Sequence, residues 1–276
     1  MFRRWITPSP LPGFAPCLTL TVSYLLLLLI IPLGACLLKA ATLTPSEFLA
    51  AAWSERARSA YLLTFGAAAV AAVFDVIFGV LLAWVLVRYS FPGRRIVDTL
   101  IDLPFALPTA VAGLVYSGLY VPNGWLGRYL TPLGFEGAYS RTAIVLVLTF
   151  LGLPFVVRTV QPVLESLEGD TEEAAASLGA TRMQTFLRIL VPSMWPGIVT
   201  GFALAFARGL GEYGSVVFVS SNMPFKTEIA AVLVVARLEE FKYAEATAVA
   251  VVLLTASISS LWLINWLEQR SRRYAS

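Results

Sequence analysis

Long apolar runs, interrupted by short polar, glycine-rich or proline-rich stretches, organise most of this chain. Six runs reach or approach the roughly 20 apolar residues that cross a bilayer as a helix. They predict spans at about 14–38, 61–87, 101–120, 142–157, 197–219 and 244–266. The fourth is short, only ~24 Å of helix, so flanking residues extend it or Arg141 and Arg158 snorkel to the interface. In the third, Pro104 and Pro108 of "DLPFALP" predict a kink. In the fifth, Gly197, Gly201, Ala205 and Gly209 recur every four residues, a ridge of small side chains that lets helices approach closely. "GLGEYG" at 209–214 predicts a bend or break in that span. Its formal match to a dinucleotide-binding fingerprint carries nothing, because no strand precedes it. The apolar part of "EIAAVLVVARLEEF", within 220–243, is too short to cross and is expected as a short helix at the outer surface. The 121–140 segment is expected as an outer loop.

Composition narrows the class. Hydrophobic residues make up 58% and charged residues 13%, against about 25% charged in soluble domains. This is an all-α membrane protein with a single membrane domain at 14–266, flanked by tails at 1–13 and 267–276. Placing the N-terminus in the cytosol puts the larger share of arginine and lysine inside, so both termini are expected there. The net charge of +3 adds little. Cys17 and Cys36 show no metal or redox spacing and are expected as buried structural thiols. "LGAC" at 33–36 looks like a lipoprotein processing box. However, a cleavable apolar stretch is about 7–15 residues, and this one runs from 14 to 38, so an uncleaved span is expected. With no histidine, no cysteine pair and no acidic cluster in the spans, the chain lacks the groups of a membrane enzyme.

The stretch 169–198 breaks the oily pattern. Asp170 and Glu173, then Thr181 and Gln184, have capping-box spacing. Gly179 between them suits a left-handed helix stop, and Pro192 is expected to end the second helix. Met183, Phe186, Leu187 and Leu190 share one face of that helix. The segment therefore reads as helix, turn, helix outside the bilayer. Its apolar face either packs on the chain's own spans or enters a groove on a soluble partner.

"EEAAASLGATRMQTFLRILVP" resembles the cytoplasmic coupling (EAA) loop of ABC-importer permeases, with Val191 where leucine is usual. "YSFPGRRIVDTLIDLPFALPTAVAGL", "PFVVRTVQPVLE", "GLGEYGSVVFVSSN" and "KTEIAAVLVVARLEEFKYAEATAVA" are similar to the sulfate/thiosulfate permeases of the CysT type, from about Leu11 to Trp266. The resemblance implies a MetI-like transmembrane domain of about six helices with a coupling hairpin at 169–192, in a multi-pass inner membrane protein. It implies ABC ATPase subunits, a second homologous permease of the CysW type and an extracytoplasmic sulfate-binding protein as partners, with no nucleic acid. The coupling residues would be Glu172, Glu173, Ala174, Ala175, Gly179, Ala180, Met183, Phe186 and Leu187. No Gly-Lys pair occurs, so the chain has no P-loop of its own. It needs no cofactor, and ATP and magnesium belong to the partner ATPase.

Asp75, Arg208 and Glu212 are ionisable residues within expected spans, where charge by default suggests function. Arg208 and Glu212 are spaced to pair on one helix face. That pair is either structural, or it places Arg208 by an anion route with Glu212 preventing a permanent trap. Thr109, Ser215, Ser220, Ser221 and Asn222 are further candidates along that route. Asp75 would repel an anion and is expected to be structural, paired to a neighbouring span or near the interface. Alternatives to a sulfate importer are a molybdate/tungstate permease and a secondary anion transporter.

Overall fold

The computed structural model describes residues 13–167 and 170–275. Among these there are helices and loops but no strand. In chain order the helices are α1 (Phe14–Ala40), α2 (Pro45–Ala52), α3 (Glu55–Arg88), α4 (Arg94–Ile101), α5 (Leu103–Ala106), α6 (Thr109–Tyr120) and α7 (Gly127–Leu130). They continue with α8 (Arg141–Ser166), α9 (Asp170–Ser177), α10 (Arg182–Leu210), α11 (Val216–Val219), α12 (Ala230–Glu239) and α13 (Tyr243–Ala275). Five of them, α1, α3, α8, α10 and α13, are long and apolar enough to cross a membrane.

The core is α3, α8 and α10, packed through Ala72, Ala83 and Leu86 on α3, Val156, Val157 and Val160 on α8, and Met194, Ile198 and Phe206 on α10. Small residues permit the approach. A Cβ on Gly201 would lie 2.8 Å from the Val156 Cα, and one on Gly209 would lie 3.0 Å from the Ala68 Cβ. The ridge at Gly197, Gly201, Ala205 and Gly209 is therefore the contact face of α10, as its spacing predicts. α1 stands off this core, with its second half along α13. Cys17 is exposed and Cys36 half-buried, which corrects the expectation of buried thiols. A cysteine on a helix with one face outward is covered only by what lies beside that helix.

Three expectations about the spans change, and for the fourth span the structure takes one of the two expected outcomes, extension by flanking residues. The fourth runs 26 residues, Arg141–Ser166, through Pro154 and Pro162. Its apparent end at Arg158 was a charge that the fold neutralises. Arg158 donates to Asp98 Oδ1 at 2.6 Å, to Asp102 Oδ1 at 2.9 Å and Oδ2 at 2.6 Å, and to the Gln161 side chain at 2.7 Å. It is thus paired rather than snorkelling. The third span is not one kinked helix but three pieces. Leu107 is extended, with ψ 132°, because the following Pro108 disfavours helical backbone there, and α6 restarts after it. The fifth ends at Leu210 rather than 219. The last helix continues to Ala275. Residues 1–12 of the expected N-terminal tail, the start of the hairpin at 168–169 and the Asp170 side chain lie outside the described residues.

At the end remote from the hairpin, α12 docks on α3. Arg56 holds the buried Glu228 by two bonds, Nε to Oε2 at 2.8 Å and Nη2 to Oε1 at 2.6 Å. The Thr64 hydroxyl accepts from the Ala230 N–H at 2.8 Å. At ten residues α12 is too short to cross, as its sequence predicts.

Candidate functional site

The hairpin is built from local rules. Gly179 has φ +83°, a left-handed conformation that costs an L-residue roughly 1–2 kcal/mol. The Ala180 N–H bonds the Ala175 carbonyl and the Gly179 N–H bonds the Ala176 carbonyl, each at 3.0 Å. These are the paired bonds of a Schellman stop, satisfying carbonyls that the helix end would otherwise leave open. Two residues on, Thr181 and Gln184 form the expected capping box, with Gln184 Oε1 accepting from the Thr181 N–H at 2.8 Å.

The second helix is not ended by Pro192. It passes through a π turn at Phe186–Leu190 and continues as the body of α10. A proline N cannot donate to the carbonyl four residues back and its ring crowds that carbonyl. The wider turn just before Pro192 accommodates both constraints. The second helix of the hairpin and the core span are therefore one continuous helix with a bulge between them.

The apolar face divides. Leu190 is buried, and Phe186 packs inward on Trp84, ring centroids 5.2 Å apart. Met183 and Leu187 remain exposed, as does Leu178, which at 90% exposure is the most open large apolar side chain of the hairpin. Ala175 is buried, Ala180 half-buried, and Glu173 and Ala174 exposed. Glu172 accepts from Arg88 Nε at 2.8 Å, and Arg88 also holds the Leu167 carbonyl at 3.2 Å. This ties the hairpin to the end of α3. Leu178 and Arg88 were absent from the expected set. Leu178 was legible as the apolar residue beside the turn, whereas the role of Arg88 required knowing that α3 ends beside α9.

A second constellation lies where two helices break. A Cβ on Gly113 would collide with the Ser215 backbone, and one on Gly214 with the Thr109 side chain. The start of α6 thus sits against the 211–215 segment. Gly209 packs on Ala68, which is ~20 Å along α3 from Glu55 and ~30 Å from Arg88. The break therefore falls within membrane depth, where irregular backbone is tolerated only inside protein or along a cavity. Arg208 Nη1 donates to Glu212 Oε2. Glu212, 2% exposed, also accepts from the Ser215 N–H at 2.7 Å and hydroxyl at 2.9 Å. The Ser220 hydroxyl donates to Asn222 Oδ1 at 2.7 Å, and Asn222 Nδ2 to the Val217 carbonyl at 2.9 Å. Ser221 shares its hydroxyl with Thr227 at 2.7 Å. The serine and asparagine side chains thus shape the turn with one another, and Arg208, partly exposed, is the cation beside it.

Asp75 is 1% exposed, and its Oδ1 has no hydrogen-bond partner among the described residues. Among the described residues it makes no ion pair to a neighbouring span, the first of the two placements expected for it. Its carboxyl instead fills the space that the missing side chain of Gly152 leaves.

Comparison with known proteins agrees with this architecture. Residues 75–273 match the family described as binding-protein-dependent transport system inner membrane component. The chain is 51% identical over 256 residues to the sulfate transport system permease protein CysT of Synechocystis sp., covering 93% of this chain and 90% of that protein. It is 43% identical to the CysT of Escherichia coli, covering 95% of each. Among solved structures, a bacterial alginate ABC transporter in complex with a pentasaccharide-bound periplasmic protein shares the fold with a TM-score of 0.77, at 20% identity and 93% coverage of both chains. The MetNI methionine ABC transporter in an inward-facing form superposes with a TM-score of 0.55, at 18% identity, over 78% of this chain and 93% of that one. With that match over most of its length and relatives above 40% identity across nine tenths of it, this chain belongs to the inner membrane component family of binding-protein-dependent transport systems, as a multi-pass permease of ABC-importer fold.

Proposed function

We propose that this chain is the permease subunit of an ATP-driven importer of sulfate and thiosulfate. A binding protein outside the membrane delivers the anion, and a second, CysW-type permease completes the channel. The observation that carries the reading is that the second helix of the hairpin runs on as the body of α10 to the break at Gly211. A push on Leu178, Met183 and Leu187 by an ATPase docked at the hairpin moves one helix whose far end carries Arg208. Glu172, Glu173, Ala174, Ala175, Gly179, Ala180 and Phe186 shape that contact. ATP and magnesium reside on the ATPase. Both termini and the hairpin face the cytosol, with 1–13 and 267–276 as tails of the 14–266 domain. The sulfate class rests on the similarity to CysT proteins across nine tenths of the chain. It also rests on a cation and the start of α6 gathered at the break, where a helix N-terminus favours an anion. Glu212 keeps Arg208 from holding a divalent anion too tightly to release it.

The test is the ATPase rate of the complex reconstituted with sulfate-loaded and then molybdate-loaded binding protein. Stimulation by the sulfate form alone is expected. Stimulation by the molybdate form alone overturns the substrate, and the absence of a copurifying ATPase overturns the coupling role of the hairpin.

A further inference from the structure

The geometry points to a binding groove for one anionic phospholipid between α3 and α8, at the end of the bundle remote from the hairpin, with Arg58 and Arg141 on the phosphodiester and Leu62, Gly66 and Val70 along an acyl chain. The groove is a cavity of about 680 Å³. Its upper rim carries Arg58, Ser59, Arg141 and Glu55, and its lower wall Leu62, Leu63, Gly66, Val70 and Val145.

The two arginines are available to a ligand. Arg56, two residues from Arg58, is already bound to Glu228, but Arg58 makes no ion pair among the described residues. Arg141 bonds two carbonyls, of Lys226 at 2.7 Å and Phe225 at 3.2 Å. These bonds aim its guanidinium without cancelling its charge. Against two cations the rim offers one carboxylate, that of Glu55, so it favours a single negative charge. Ser54 and Ser140 each cap one N–H at the starts of α3 and α8, and the charged guanidinium groups are the rim's strongest donors.

Depth selects the source of the oxyanion. Arg58 stands one turn above Leu62, where the exposed apolar stripe of α3 begins. From Arg58 to Val70 the helix rises ~18 Å. That matches a headgroup plus most of one leaflet of a hydrocarbon core about 30 Å thick. Basic pockets between membrane helices bind lipid headgroups in this way. A free sulfate would use only the rim and leave the apolar lower wall unfilled. The inference stands apart from the substrate reading, because a permease for any cargo meets the same lipid.

The test is native mass spectrometry of the full-length protein, purified in detergent with its copurifying subunits and supplemented with phosphatidylglycerol. Arg58→Gln removes the headgroup contact. Gly66→Leu blocks the acyl path and leaves both arginines in place, and a Cβ at Gly66 meets no atom within 4 Å, so the side chain enters open space; an unchanged melting temperature of the variant checks that the fold is kept. Each variant is expected to lower phosphatidylglycerol retention by about tenfold, the scale of one charge-assisted hydrogen bond or of a few buried methylenes. Unchanged retention in either variant overturns the proposal. So does loss in Arg58→Gln alone accompanied by displacement of the lipid by free sulfate, which assigns the rim to the small anion instead.

Discussion

Replacing Gly179 isolates a single physical effect. A Cβ at this position has nothing within 4 Å, yet φ is +83°. Alanine therefore meets no steric clash inside the chain, and its whole cost is the left-handed backbone, roughly 1–2 kcal/mol. The hairpin's alternatives are frayed forms that lose the two bonds of the Schellman stop. A penalty of this size lowers the properly folded hairpin about 5- to 30-fold relative to them. The assay is ATPase activity of the vesicle-reconstituted complex, with and without loaded binding protein, together with copurification of the ATPase. Gly179→Ala is expected to lose most of the stimulation while the spans keep their thermal stability. Gly179→Asn, which tolerates the left-handed region, stays near wild type. Gly179→Leu matches Gly179→Ala unless the partner itself fills the space above the turn. Wild-type stimulation in both Gly179→Ala and Gly179→Leu refutes the idea that the turn's backbone geometry presents the coupling surface.

Two further substitutions test the charges. Arg158→Ala strips Asp98 and Asp102 of their shared guanidinium. Because these groups remain partly exposed, the expected loss is about 1–2 kcal/mol after allowance for solvent screening, read as a lower melting temperature that is less than additive with Asp102→Asn. Arg208→Ala is expected to reduce anion uptake without blocking assembly. It leaves Glu212 with the Ser215 donors but without its cation, so Arg208→Ala combined with Glu212→Ala recovers thermal stability and not uptake. Uptake unchanged in Arg208→Ala makes the pair purely structural.

The hairpin and the contact face of α10 were legible in the linear order because the physics behind them is local. A glycine at a left-handed stop, the Thr181–Gln184 capping box and small residues every fourth position act within one or two turns of chain. The apolar runs marked the membrane helices for the same reason, as hydropathy is a sum over neighbours. Where a charge or a proline interrupted a run, the same sum failed. Arg158 looked like the end of a span, yet its partner Asp102 is 56 residues away, and once paired the helix runs on to Ser166. Pro192 looked like a stop, yet packing of Leu190 and Met194 into the core holds the chain helical across it, through a π turn. Leu210 ends α10 because Gly214 and Ser215 must lie against Thr109 and Gly113, a meeting of two distant breaks that neither announces alone. The sequence by itself determined a helical membrane protein with a preformed hairpin. Which charges are tolerated at depth, which prolines are bridged and where two interrupted helices meet were decided by the tertiary structure, because the energy of a buried charge or a broken helix depends on the groups that fold against it.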